Sequence, residues 1–170
     1  MRSIADVILP REGKKAEAGG VYQLLLYIHI VCAVIWVGGA IAIQALAILV
    51  SRSDDPMELP RLGGNLEIIG SRVFMPAATV LFLSGVVMTI QNWAFGNTWI
   101  AVSVGLWVLS AVAGAAYLAP RAKRVAALFE AEGPTSVVAR QLIGQMFVVS
   151  RLELISFAVI IALMVFKPGS

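Results

Sequence analysis

Thirty consecutive positions, Val21 to Val50, pass without a charged side chain. A run of that length and apolarity can cross a bilayer, whose hydrocarbon core takes about 20 helical residues. Inside lipid the backbone polar groups find no water, and a single segment satisfies them only as a helix. Three further segments pass the same test: Val73 to Trp93, Trp99 to Ala119, and Leu142 to Phe166. The third ends at Pro120-Arg121, and the fourth is interrupted by Arg151 and Glu153 and closed by Lys167-Pro168. The fold class that follows is all-α, an integral membrane four-helix bundle. Residues 21–168 form one membrane domain with helices over about 21–50, 73–93, 99–119 and 142–166, and residues 1–20 form a polar N-terminal tail.

Composition agrees. Charged residues make up 14% of the 170 positions and hydrophobic ones 59%, where a soluble domain carries about 25% charged residues. The one cysteine, Cys32, excludes an intramolecular disulfide and any multi-cysteine metal cluster. A net charge of +3, spread along the chain, suits anionic lipid headgroups, and no basic-aromatic platform for nucleic acid is present. The first apolar run exceeds the 7–15 residues of a signal-peptide core and follows about twenty mostly polar residues, so it is expected to remain in the mature protein.

The connections set the topology. Ser51 to Arg72 is polar, with helix expected to resume near Asn65 on the way into the second span. Gln91 to Thr98 is short and uncharged, with Trp93 and Trp99 at its edges in the manner of an interfacial aromatic belt. Arg121 to Gln141 starts basic and amphipathic and breaks at Gly133-Pro134. The first and third connections carry seven lysines and arginines (Arg52, Arg61, Arg72, Arg121, Lys123, Arg124, Arg140), against five on the other side (Arg2, Arg11, Lys14, Lys15, Lys167). That bias places both termini outside and the two long connections in the cytoplasm.

Within the spans a few residues can carry chemistry. His29, the only histidine, stands seven residues before Trp36, close to two helical turns, so imidazole and indole share a face. Three roles are open to it: an interhelical hydrogen bond, ligation of haem iron or copper, and proton transfer. A bis-histidine haem within one chain is excluded. Cys32, three positions on, adds a soft ligand suited to Cu(I), with Met75, Met88, Met146 and Met164 in other spans as further sulfur donors. The same residues are ordinary fillers of apolar cores. Trp36-Val37-Gly38-Gly39 offers small residues for close helix approach, as do Ser110 with Gly114 and Ala111 with Ala115. Arg151 and Glu153 are ionisable groups inside a span, where such groups mark sites by default. Two readings stand for them: Glu153 pairs with Arg72 or Arg151, or the arginines hold an anion such as a propionate, phosphate or lipid headgroup. No nucleophile elbow, phosphate loop or metalloprotease His-Glu pair is present, which removes the common hydrolases.

The string from His29 through Trp36-Val37-Gly38-Gly39 resembles a signature shared by several bacterial four- and five-helix membrane families. The chain is most similar to an uncharacterised family of predicted integral membrane proteins, a domain of unknown function. That family opens with this string and tends to end in Lys-Pro, here Lys167-Pro168, and the similarity covers about Tyr22 to Pro168. More distantly the string resembles the first helix of copper-resistance D proteins and of HemJ-type protoporphyrinogen oxidases. The oxidase resemblance implies His29 as a ligand of haem b and a basic residue in another span as its companion, for which Arg72 and Arg151 are both candidates. Copper-resistance D proteins are larger and richer in histidine and methionine, which sets this chain apart from them.

The expectation is thus a multi-pass protein of a bacterial inner membrane, acting as a non-catalytic binding or accessory protein, with haem b the candidate cofactor through His29. Beside the lipid bilayer, its expected partners are another membrane protein or a second copy. A haem-dependent oxidoreductase is the alternative. Copper or small-solute transport comes third, because four spans with few internal polar groups lack a polar path unless a dimer interface supplies one.

Overall fold

The computed structural model describes residues 11–93 and 95–169, of which 11–18 and 67 are described by backbone alone. Four long helices account for nearly all of them. Helix α1 covers residues 11–51 as α-helical Arg11–Ala33, a π-helical turn Val34–Gly38, and α-helical Gly39–Ser51. Helix α2 is Glu58–Asn92, α3 is Thr98–Glu132 and α4 is Val137–Phe166. Each is long and apolar enough to cross a membrane. The chain is an all-α membrane bundle, as the apolar runs require. The first helix begins at Arg11, inside the segment expected as tail; residues 1–10 of that segment lie outside the described residues.

Two helices run further than the hydropathy pattern suggests. Helix α2 starts at Glu58, not near Asn65, with Pro60 in its first turn, where a missing N–H costs nothing. The turn before it is set by Asp55, whose Oδ1 accepts from the Met57 N–H at 2.9 Å. Helix α3 passes through Pro120, the expected stop, and ends only at Gly133, whose φ of 80° suits a residue without Cβ. A proline ring inside a helix clashes with the carbonyl four residues earlier. Here a π-helical turn precedes each proline: Gly70–Phe74 ahead of Pro76, and Ala113–Leu118 ahead of Pro120. The wider turn absorbs the misfit, and the helix continues. Beyond the break, α4 is capped by Ser136, whose Oγ accepts from the Ala139 N–H at 3.2 Å and donates to Glu132 Oε2.

Helices α2 to α4, of 30–35 residues, measure about 45–52 Å, against a hydrocarbon core of about 30 Å. Trp93, Trp99 and Lys167 gather at one end and mark one interface. About 20 residues from there, α2 reaches Val73 and α3 reaches Ala119. The remaining turns of both helices therefore run out of the lipid. They are not loops, because they bury a core of their own: Leu59, Ala122, Val125, Phe129, Ala139, Ile143 and Met146, flanked by Val50, Leu66 and Phe147. Val125 and Ala139 are fully buried there. This basic end closes the bundle.

The other end, which we call the tryptophan end, is built as two pairs. Upper α1 packs along α2, and upper α3 along α4. In the middle, α1 and α2 approach closely: a Cβ on Gly39 would lie 2.5 Å from Phe74 Cε1. Gly38 and Gly114 meet no such neighbour. Gly39→Ala is expected to cost about 1–3 kcal/mol through overpacking, with much of the loss restored by Phe74→Leu in a double-mutant cycle read by unfolding in detergent. Phe129→Ala should cost about 3–5 kcal/mol, seen as a lower melting midpoint by circular dichroism, whereas the exposed Val159→Ala should leave that midpoint nearly unchanged.

Candidate functional site

Between the two pairs at the tryptophan end lies a half-open cavity of about 540 Å³. That size falls in the range of about 300–1,000 Å³ usual for small-molecule and cofactor sites. Its lining comes from all four helices and includes the chain's four tryptophans, Trp36, Trp93, Trp99 and Trp107. Aromatic contacts bridge the pairs around it. Trp36 of α1 meets Phe157 of α4 with centroids 4.6 Å apart, and Phe82 of α2 stacks on Trp107 of α3 at 4.2 Å and 18°. At the rim Trp93 and Trp99 pack edge to face at 5.3 Å, with the Lys167 ammonium 4.6 Å from the Trp93 centroid. Trp36 falls in the π-helical turn Val34–Gly38 of α1.

His29 lies in the wall, in the same cavity as Trp36, as the seven-residue spacing requires. It rests on Gly85 of α2, where a Cβ would come within 3.0 Å of the imidazole Cε1. Its Nδ1 is 3.1 Å from Ser84 Oγ. That hydroxyl has one hydrogen, and it points back to its own helix, with Oγ 2.8 Å from the Val80 carbonyl and 3.0 Å from that of Leu81. Ser84 therefore accepts and His29 Nδ1–H donates. In the tautomer protonated at Nδ1 the lone pair lies on Nε2, and the Leu81 backbone also hydrogen-bonds the imidazole. By helical rise from Trp93 to Ser84, this imidazole sits about 13 Å below the rim.

The rest of the wall is mostly apolar. Thr89 donates to the Gly85 carbonyl at 2.9 Å and Ser103 to that of Trp99 at 2.7 Å. The indole N–H groups of Trp99 and Trp107 are buried without a partner. Among the described residues Lys167 is the charged residue of the lining, and no acid lines it. Among the described residues the lining thus offers one imidazole, the Tyr22 phenol, two indole donors and one cation around an aromatic interior.

The other residues singled out in the sequence lie elsewhere. Arg72 is exposed in the π-helical turn of α2, and Arg151 is exposed on α4; neither lines the cavity. Glu153 is half-buried on the inward stripe of α4 between Met146 and Phe157, and no ion pair joins it to Arg151 or Arg72. Two positions apart on one helix, Arg151 and Glu153 point to different faces. Cys32 is a free, half-buried thiol outside the cavity lining. Met88 and Met164 line the cavity, Met75 is exposed, and Met146 belongs to the basic-end core, so the sulfur atoms do not converge. Among the described residues no group of three His, Cys, Asp or Glu side chains can hold a metal ion. Ser84, Gly85, Trp107 and Lys167 were not legible as site residues, although a serine-glycine pair opposite a lone histidine in an apolar span is a usable signal.

With isotope-labelled histidine, nitrogen NMR reads this tautomer from a single residue. The expected result is a protonated Nδ1 and a bare Nε2, a preference lost in Ser84→Ala; a protonated Nε2 in the unmodified protein contradicts the assignment.

A family model described as "Predicted integral membrane protein (DUF2269)" matches residues 23–168, from within α1 to just past α4. No curated protein and no solved structure matches the chain. The match covers every span that builds the cavity, and the chain belongs to this family of predicted integral membrane proteins, DUF2269.

Proposed function

We propose that the protein is a non-catalytic membrane binding protein that holds a flat, apolar cofactor between its two helix pairs, with haem b the cofactor its residues suit. The observation that carries this reading is His29: an imidazole in the wall of an aromatic cavity, with Nδ1 3.1 Å from Ser84 Oγ, an arrangement that suits the tautomer with its lone pair on Nε2. A ligating histidine characteristically donates its other ring N–H to a second group, which fixes both tautomer and ring orientation. The fit is good at the iron-binding side. At the charged side the companion is not Arg72 or Arg151, which lie outside the cavity, but Lys167 at its rim. Haem b, if bound, would be held through His29 and would supply one-electron redox chemistry there.

A binding role is favoured over an oxidase because, among the described residues, His29 is the one side chain of the lining suited to move a proton near neutral pH. We place the protein in a bacterial inner membrane with the basic end cytoplasmic, on the count of seven lysines and arginines against five.

The test is the absorption spectrum of the detergent-purified protein, reduced minus oxidised, beside His29→Ala. A Soret band present in the unmodified protein and lost in the folded variant is the expected outcome. Ser84→Ala should weaken retention by about 10–100-fold, the usual effect of removing a ligand's orienting partner. A featureless spectrum from folded protein produced with ample haem would falsify the haem assignment.

A further inference from the structure

The cavity is walled unevenly. Between α2 and α3, Phe82 stacks on Trp107, and the lining on that side, Phe82, Val86 and Val104, is half-buried. Between α1 and α4 the aromatic bridge is Trp36 on Phe157, at the foot of the cavity. Above that bridge α1 packs along α2 and α4 along α3. Six lining residues edge the gap that this leaves: Leu26, Ile30 and Val34 on α1, four apart and so on one face, and Ile161, Met164 and Val165 on α4. All six are exposed, Val34 at 65% and Val165 at 67%, whereas Ile100 and Ser103 on the inner wall are each 3% exposed. The gap also lies at hydrocarbon depth. Ile161 is about 9 Å and Phe157 about 15 Å of helical rise from Lys167, within a core about 30 Å thick.

We infer that the cavity opens sideways into the leaflet at the tryptophan end, through this slot between α1 and α4, and takes its ligand from the hydrocarbon there. The inference rests on the reading that the cavity is a ligand site, and it names the class of ligand: a lipophile dissolved in the bilayer that enters by an apolar edge. None of the six slot side chains carries a charge, an N–H or an O–H. A polar solute passing between them would lose its hydration with nothing to replace it, whereas an apolar one exchanges one hydrocarbon surrounding for another. The slot has no drive to close, because acyl chains solvate the facing sides of α1 and α4 as well as those sides solvate each other. In a bilayer without another ligand, a chain of a neighbouring lipid fills the space and regains the dispersion contacts that a void forfeits.

That last consequence gives the test. The full-length protein is reconstituted in vesicles of a phosphatidylcholine with a diazirine on its acyl chain, illuminated, and its adducts mapped by mass spectrometry. The headgroup stays in the leaflet, so the tethered chain reaches the inner wall by lying through the slot. The expected result is label on Ile100 and Ser103 as well as on the exposed Val159. Val34→Trp, which sets an indole in the slot, should abolish the inner adducts and keep those on Val159, and Val34→Ala should retain both. Ile161→Trp repeats the block from α4, and circular dichroism confirms that the helices of each variant persist. Hemin added before illumination should displace the inner label alone. Adducts on Val159 with none on Ile100 or Ser103, or inner adducts that survive both Val34→Trp and Ile161→Trp, overturn the lateral route. Inner adducts that vanish with the block but resist hemin support the route and overturn the haem assignment beneath it.

Discussion

Packing at the basic end carries this bundle, because water surrounds the helices there and the hydrophobic effect has something to act on. Between helices inside lipid no such drive exists, since acyl chains are as apolar as leucine. The extramembrane turns of α2 and α3 bury Leu59, Val125 and Phe129 against α4 and the foot of α1. Gly63 allows the approach; a Cβ there would lie 3.1 Å from Val125 Cγ1. With the four helices clamped at that end, the tryptophan end need not close. It stays as two pairs bridged by aromatic rings, and a cavity remains between them.

Helix continuity makes the clamp available. Pro76 and Pro120 lie near the point where α2 and α3 leave the hydrocarbon, and a kink or stop at either would separate the extramembrane core from the spans. The π-helical turns at Gly70–Phe74 and Ala113–Leu118 prevent this by widening the helix ahead of each ring. The third π-helical turn, Val34–Gly38, has no proline after it; it contains Trp36, which bridges to Phe157 at the cavity.

The cavity's chemistry is spare. One imidazole is hydrogen-bonded to Ser84, two indole donors lack acceptors, and one ammonium stands at the rim. Glu153, the acid nearest in depth, belongs to α4's inward stripe and lies outside the lining.

Residue order alone determined that the chain spans a membrane four times as helices, because charge-free runs of this length have no other way to satisfy their backbone in lipid. It also placed His29 and Trp36 on one face, since helical period suffices for that. It read Pro120 as a stop and Ser51 to Arg72 as largely a polar connection, because a local pattern does not reveal a π-helical turn or a partner that buries an amphipathic face. Tertiary structure alone decided that His29 meets Ser84 and Gly85, that Lys167 joins Trp93 and Trp99, and that Arg72, Arg151 and Glu153 stay apart. Those outcomes depend on the register between helices fifty or more residues apart in sequence, which is set by packing at Gly39, Gly85 and the basic-end core and not by any local propensity.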